Sequence, residues 1–182
     1  MKRMILLFGL CLSFMAAGAQ NIFVSKATSI TFFSSTPVED IEGKSTTASS
    51  VVDIKSRNIV FKVSNTSFQF KKKLMQEHFN ENYIESDKYP FSIFRGKITD
   101  DVDLSKDGSY TVNVEGTLDI HGVTKAYQSK ANIVVAKGVI TARTTIRVKI
   151  EDHQIKVPSI VFKNIAEFVD VRISATYQPK KS

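Results

Sequence analysis

The chain has 182 residues, a length that holds one domain with a core of its own and excludes a large multi-domain enzyme. Hydrophobic residues make up 42% and charged residues 24%, which excludes a disordered chain, and no coiled-coil, collagen or solenoid repeat is present. The formal net charge is +7, but no basic run is interleaved with stacking aromatics, so the excess reads as solubility and not as a nucleic-acid footprint.

The first element in chain order is a leader. Lys2 and Arg3 precede an almost wholly apolar run from Met4 to Ala17, and Ala17, Gly18 and Ala19 supply the small residues of a cleavage site. This predicts a signal peptide over 1–19, cut after Ala19, and a mature domain over 20–182. The run is too short to span a bilayer, and no other stretch approaches that length. Cys11, the single cysteine, lies in this leader, and Leu10 before it argues against a lipoprotein anchor. Loss of Lys2 and Arg3 lowers the net charge to +5. The mature chain then has no disulfide, no cysteine nucleophile and no Cys-based zinc site, so packing and a closed hydrogen-bond network have to stabilise it.

Strands follow nearly everywhere. The first is Ser29 to Ser34, which Ile22 to Ser25 extends backwards. Residues 37–43 read as a turn, Lys44 to Ile54 as a second strand and Ile59 to Val63 as a third. Phe70 to Phe79 breaks the period and places Leu74, Met75, His78 and Phe79 on one helical face. Ser92 to Asp101 is the fourth strand. Beyond Asp107-Gly108, Tyr110, Val112, Val114, Leu118 and Ile120 share one parity against polar neighbours, marking a half-buried fifth strand. His121-Gly122 turns the chain into a sixth strand, Thr124 to Val135, and Lys137-Gly138 into a seventh, Val139 to Ile150. A short helical turn is expected over 159–168, and Val169 to Tyr177 is the last strand.

About eight antiparallel strands joined by short turns predict an all-β domain: a closed eight-stranded barrel with one or two short helices. Glu115, Asp119, Arg143, Arg147 and Lys149 on the polar parity argue for a water-facing exterior and against an outer-membrane barrel. Small residues at candidate inner positions (Ala48, Ser50, Ala131, Ala142, Ala175) leave room for an apolar guest. The competing expectation is that Phe32, Phe33, Phe68, Phe70, Phe79, Phe91, Phe94 and Phe162 fill the space.

The middle of the chain carries a family resemblance. Leu74 to Gly96 reads LMQEHFNENYIESDKYPFSIFRG, and Gly116 to Lys125 reads GTLDIHGVTK. Within them Leu74, Met75, His78, Phe79 and Tyr83, then Lys88, Tyr89 and Pro90, then Leu118, His121, Gly122, Thr124 and Lys125 resemble the motifs of the YceI-like family over roughly residues 28–178. Ser25 to Ser29 and the Lys71-Lys72-Lys73 run depart from the family's usual residues at those places. The resemblance implies an extended lipocalin-like barrel, export to a periplasm, and, for some members, binding of polyisoprenoids.

The three histidines, His78, His121 and His153, lie in separate segments without metal-ligand spacing, and no nucleophile motif or phosphate loop occurs. Neither an enzyme, a cofactor nor a metal is expected. His121 is expected to hydrogen-bond across its turn to Thr124. The leading functional expectation is a carrier for a long-chain amphipathic lipid, an isoprenoid (isoprenoid quinones included) or a fatty-acyl chain. Phe61, Phe70, Phe79, Phe94, Val112, Val114, Leu118 and Ile146 are expected on the wall, with His78, Tyr83, Tyr89 and Arg95 at the rim. The alternative is a barrel with a filled core that serves envelope stress or an exported protein partner. No nucleic-acid partner and no transmembrane segment in the mature chain are expected, and the state is monomer or homodimer.

Overall fold

The computed structural model describes residues 21–35, 40–156 and 166–180. The predicted leader and Phe162 lie outside them, as does most of the helical turn expected over 159–168. Among the described residues the strands are β1 (Ile22–Ser35), β2 (Asp40–Ser45), β3 (Ser49–Asp53), β4 (Asn58–Ser64), β5 (Gln69–Phe70), β6 (Phe91–Ile98), β7 (Gly108–Ile120), β8 (Val123–Ala136), β9 (Val139–Lys149) and β10 (Phe168–Pro179). Between β5 and β6, the helix α1 (Lys73–His78) runs on into a π-helical turn, Phe79–Tyr83. Short 3₁₀ turns occupy Asn65–Ser67 and Ile150–His153.

Eight of these strands close an antiparallel barrel. The ring runs β1, β3, β4, β6, β7, β8, β9, β10, and β10 pairs back onto β1 from Phe23↔Pro179 to Phe33↔Asp170. Closure leaves no free edge around most of the ring. Two hairpins turn on His121-Gly122 and Lys137-Gly138, with φ of 53° and 71° in the first and 51° and 73° in the second. Positive φ at both central residues matches the right-handed twist of the strands, and glycine takes the second place without steric cost.

The structure revises several predicted boundaries. β1 is one strand, with a register shift between Ser25 and Ala27. That bulge switches the inward parity, so Phe23 on one side and Thr28 and Ile30 on the other are all buried. The predicted second strand is two, β2 and β3, divided at residues 46–48. β3 pairs with the first half of β1 and β2 with its second half. β2 begins at Asp40, inside the stretch expected to turn. Its Gly43 sits where a Cβ would strike the ring of Phe32, which explains a turn-like residue in a strand. β6 stops at Ile98, short of Asp101.

The barrel has two unlike ends. At the end carrying the β3–β4 and β8–β9 turns, Phe23, Ile98, Leu104, Val112, Val135, Ile140 and Tyr177 form a solid core, each at most 6% exposed. Tyr177 donates to Ser50 Oγ at 2.9 Å, and Ser50 donates to the carbonyl of Val60 at 2.9 Å. Burial holds the Tyr177 hydroxyl well above the usual phenol range. At the opposite end β2 and β5 are added beside β1, and α1 with its π-helical turn stands between β5 and β6.

Candidate ligand site

This end holds a partly open apolar cavity of about 310 Å³. Its residues come from elements far apart in sequence. β1 supplies Ile30, Phe32 and Ser34, and β10 supplies Val169, Val171 and Ile173. β4 and β6 contribute Phe61, Val63, Ser92 and Phe94, while β7 and β9 contribute Leu118, Ile120, Ile146 and Val148. The helical segment closes the remaining side with Met75, His78, Phe79, Tyr83 and Ile84.

Four aromatic rings frame the side between β1 and the helix. Phe32 lies 5.3–5.5 Å from Phe68, Phe70 and Phe79, and Phe70 and Phe79 are 5.1 Å apart, measured between ring centres. These separations suit edge and offset ring contacts, which hold the short α1 on the barrel although no residue of α1 itself is buried. The floor is Phe94. A Cβ on Gly96 or Gly116, which face each other across β6 and β7, would lie 2.6–2.7 Å from its ring. The two glycines therefore make the space in which the ring lies flat.

The polar side chains of the cavity are mostly satisfied by the protein. Asn65, 1% exposed, donates to the carbonyl of Tyr89 at 2.6 Å and accepts from Ser92 Oγ at 2.8 Å. Ser34 Oγ accepts from the amide of Ala166 at 3.1 Å. His78 and Tyr83 remain, the first exposed and the second half-buried, and partial burial raises the Tyr83 hydroxyl above its ordinary value. Both line the cavity.

A histidine network braces this end. β8 and β9 are laddered only over Ala131–Ala136 and Val139–Thr144. Beyond that they part, and the 3₁₀ turn carrying the fully buried His153 packs against β8. His153 Nδ1 donates to the carbonyl of Val123 at 2.9 Å, so Nε2 accepts from Tyr127 Oη at 2.9 Å. Burial pulls the His153 imidazole below its ordinary value, which keeps the ring neutral as this arrangement requires. His121 faces Glu85 Oε2 through Nε2 at 2.5 Å and the carbonyl of His153 through Nδ1 at 3.2 Å. The Glu85 carboxyl is held below its usual range, mainly by that bond to His121. One ring thus joins the loop after the π-helical turn, the β7–β8 hairpin and the 3₁₀ turn.

Of the residues expected at a ligand site, Phe61, Phe70, His78, Phe79, Tyr83, Phe94, Leu118 and Ile146 meet at the cavity. Four do not. Val112 and Val114 face inward but lie in the solid half. Arg95 is exposed on the outer face, because neighbouring residues of a strand cannot both face inward and Phe94 does. Tyr89 lies outside the wall, its ring over Gly122 and 4.5 Å from that of His121. His121 does not bond Thr124, whose hydroxyl donates to Asp119 instead, at 2.8 Å. Leu74 is 60% exposed and leaves the predicted helical face. Of the expected filling residues, Phe33 lies under Arg172 and Phe91 under Lys62 on the outside. The sequence did not point to Asn65, which sits in a 3₁₀ turn without periodicity. Ile30, Val171 and Ile173 alternate inward on β1 and β10 and were open to detection.

An eight-stranded antiparallel barrel, solid at one end and hollow and apolar at the other, places this protein among the lipocalin-like barrels. The model of the YceI-like domain matches residues 23–177, and the chain belongs to that family. No curated protein sequence matches it. Among solved structures, a polyisoprenoid binding domain from Saccharophagus degradans, implicated in plant cell wall breakdown, superposes with a TM-score of 0.74 at 16% identity, covering 87% of this chain and 98% of that one. BcnA of Burkholderia cenocepacia gives 0.71 at 15% identity, covering 82% and 95%. The YCEI protein of Campylobacter jejuni gives 0.57 at 20% identity, covering 72% and 78%. At these identities the likeness is one of fold.

Proposed function

We propose that this protein binds and carries an amphipathic lipid without catalysis, its apolar tail in the cavity and its polar end beside His78 and Tyr83. The cavity itself carries this reading. Filled by a lipid tail, it gains up to about 0.8 kcal/mol per buried methylene before the costs of ordering. The likeness to the polyisoprenoid binding domain of Saccharophagus supports an isoprenoid or fatty-acyl cargo, of which an isoprenoid quinone is one form. The leader-like residues 1–19 and the family membership support export to a periplasm. A barrel filled by its own phenylalanines is disfavoured, since Phe33 and Phe91 lie outside and Phe32, Phe68, Phe70, Phe79 and Phe94 border a cavity.

Native mass spectrometry of the protein recovered from its own envelope, followed by lipid extraction, tests this. A one-to-one adduct is expected, and Ile173→Asp, which places a carboxylate among the apolar lining, is expected to lose it. A ligand-free mass that stays unchanged after incubation with fatty acids and isoprenoid alcohols would refute the reading.

A further inference from the structure

The large apolar side chains exposed on the outside divide by position. Ile22, Val51, Val60 and Val134 are β-branched residues on outward faces of strands, and Val134 lies two residues from the end of β8 in the solid half. Leu74, Phe91 and Phe168 stand at the end that holds the cavity. Phe91 opens β6 opposite Ser64, the last residue of β4, and Phe168 opens β10 opposite Lys149, the last of β9. All three have cations beside them. Lys62 Nζ lies 3.7 Å from the centre of the Phe91 ring, and the Arg147 guanidinium 4.6 Å from that of Phe168. Leu74 follows the exposed run Lys71-Lys72-Lys73. Two further rings toward this end, Phe33 and Tyr89, also carry a cation, Arg172 at 5.3 Å and Lys88 at 4.9 Å. In the ring of eight strands β6 and β10 are four places apart counted either way, so Phe91 and Phe168 lie on opposite sides of the barrel.

A partner that touches both rings has to extend across the whole end of the barrel, as a flat surface does and a bound peptide does not. We infer that this end docks on an anionic lipid bilayer, with Leu74, Phe91 and Phe168 at headgroup depth and Lys62, Lys71 and Arg147 against lipid phosphates. Exposed rings interleaved with Lys and Arg suit that layer, because the ring and the aliphatic stem enter the apolar boundary while the charged tip stays at the phosphates. Part of the positive charge is offset within the protein: Glu77 lies 3.5 Å from Lys73, and Glu151 and Glu167 lie 3.2 and 3.0 Å from Lys149. Apolar insertion and charge therefore both contribute to the anchoring. Docking in this way turns the cavity end toward the bilayer and the solid end, with Val134, away from it. It does not depend on what the cavity holds.

The test is co-sedimentation of the protein recovered from its own envelope with large vesicles, either phosphatidylcholine alone or phosphatidylcholine with about one third phosphatidylglycerol. Binding to the anionic vesicles is expected to be about tenfold tighter or more, and to weaken as salt is raised. Lys71→Gln and Arg147→Gln are each expected to weaken it about fivefold. Leu74→Ser combined with Phe168→Ser is expected to weaken it about tenfold or more, whereas Val134→Ser, at the solid end, is expected to leave it unchanged. A polarity-sensitive dye on Leu74→Cys is expected to shift to the blue on anionic vesicles, and the same dye on Val134→Cys to stay as it is in water. Equal binding to both kinds of vesicle, or a blue shift at Val134→Cys, would overturn the docking. So would an absence of binding, which would assign the exposed rings to a protein partner. A bound lipid found by native mass spectrometry would still stand in each of these cases, so the docking and the carrier reading fail separately.

Discussion

Single side chains at the two ends of the barrel answer to different physics. Tyr177 and Ser50 form a buried hydrogen-bonded pair that ends on the Val60 carbonyl. Tyr177→Phe leaves the shape intact and removes one bond, so a loss of about 1 kcal/mol is expected in urea unfolding. Gly116 is less forgiving, because a Cβ there would press on the carbonyl of Arg95 and on the ring of Phe94. Gly116→Ala is expected to lose about 2 kcal/mol or more, since backbone and not a flexible side chain has to move. His153 makes stability depend on pH. Its unfolded imidazole takes up a proton near the ordinary value of 6.5, while the buried ring resists. The unfolded chain therefore binds more protons just below pH 6.5, and stability falls as the pH drops through that window. Urea midpoints measured across it are expected to decline, and His153→Gln is expected to flatten the decline.

At the scale of elements, α1 works through one side only. Met75 and His78 line the cavity while Leu74 is exposed, so the apolar residues of this short helix are divided between cavity and water. Leu74→Ser is expected to leave lipid affinity within about twofold of wild type, and Phe79→Ala to lower it about tenfold or more, as a buried ring is lost from the wall. Titration of both variants with one carboxylate checks the contrast. The seam between β8 and β9 is a second feature of this kind. Ala131–Val135 are laddered on both sides, but Val123–Lys130 pair only with β7. In hydrogen exchange, the alternate amides of the latter segment that do not bond β7 are expected to exchange ahead of the former.

For the whole molecule, a solid lower half carries the larger core and a hollow upper half carries the candidate site. Large core changes at Val112 or Ile140 are expected to unfold the domain, whereas changes at Ile173 or Leu118 act first on the ligand. Much of this was legible in the chain. The alternation from Tyr110 to Ile120 and the His121-Gly122 and Lys137-Gly138 turns defined β7, β8 and β9 to within a residue or two. The two YceI-like stretches located the helical side of the cavity. Arg95 and Tyr89 were misplaced because a rim was inferred from side-chain chemistry where parity and ring packing decide position.

The sequence by itself determined which side chains of β7, β8 and β9 face inward, where their hairpins turn and which family's barrel results, because each depends on a period of two or on one or two residues. Only the tertiary structure decided how deep each inward residue lies. Val112 and Leu118 share a strand and a parity, yet one is packed in the solid core and the other borders the cavity. Alternation carries no information about level along the barrel axis. That level is set by strand pairings such as Phe23↔Pro179, by the bulge after Ser25, and by two glycines that let one ring close the floor. All are contacts between residues that only folding brings together.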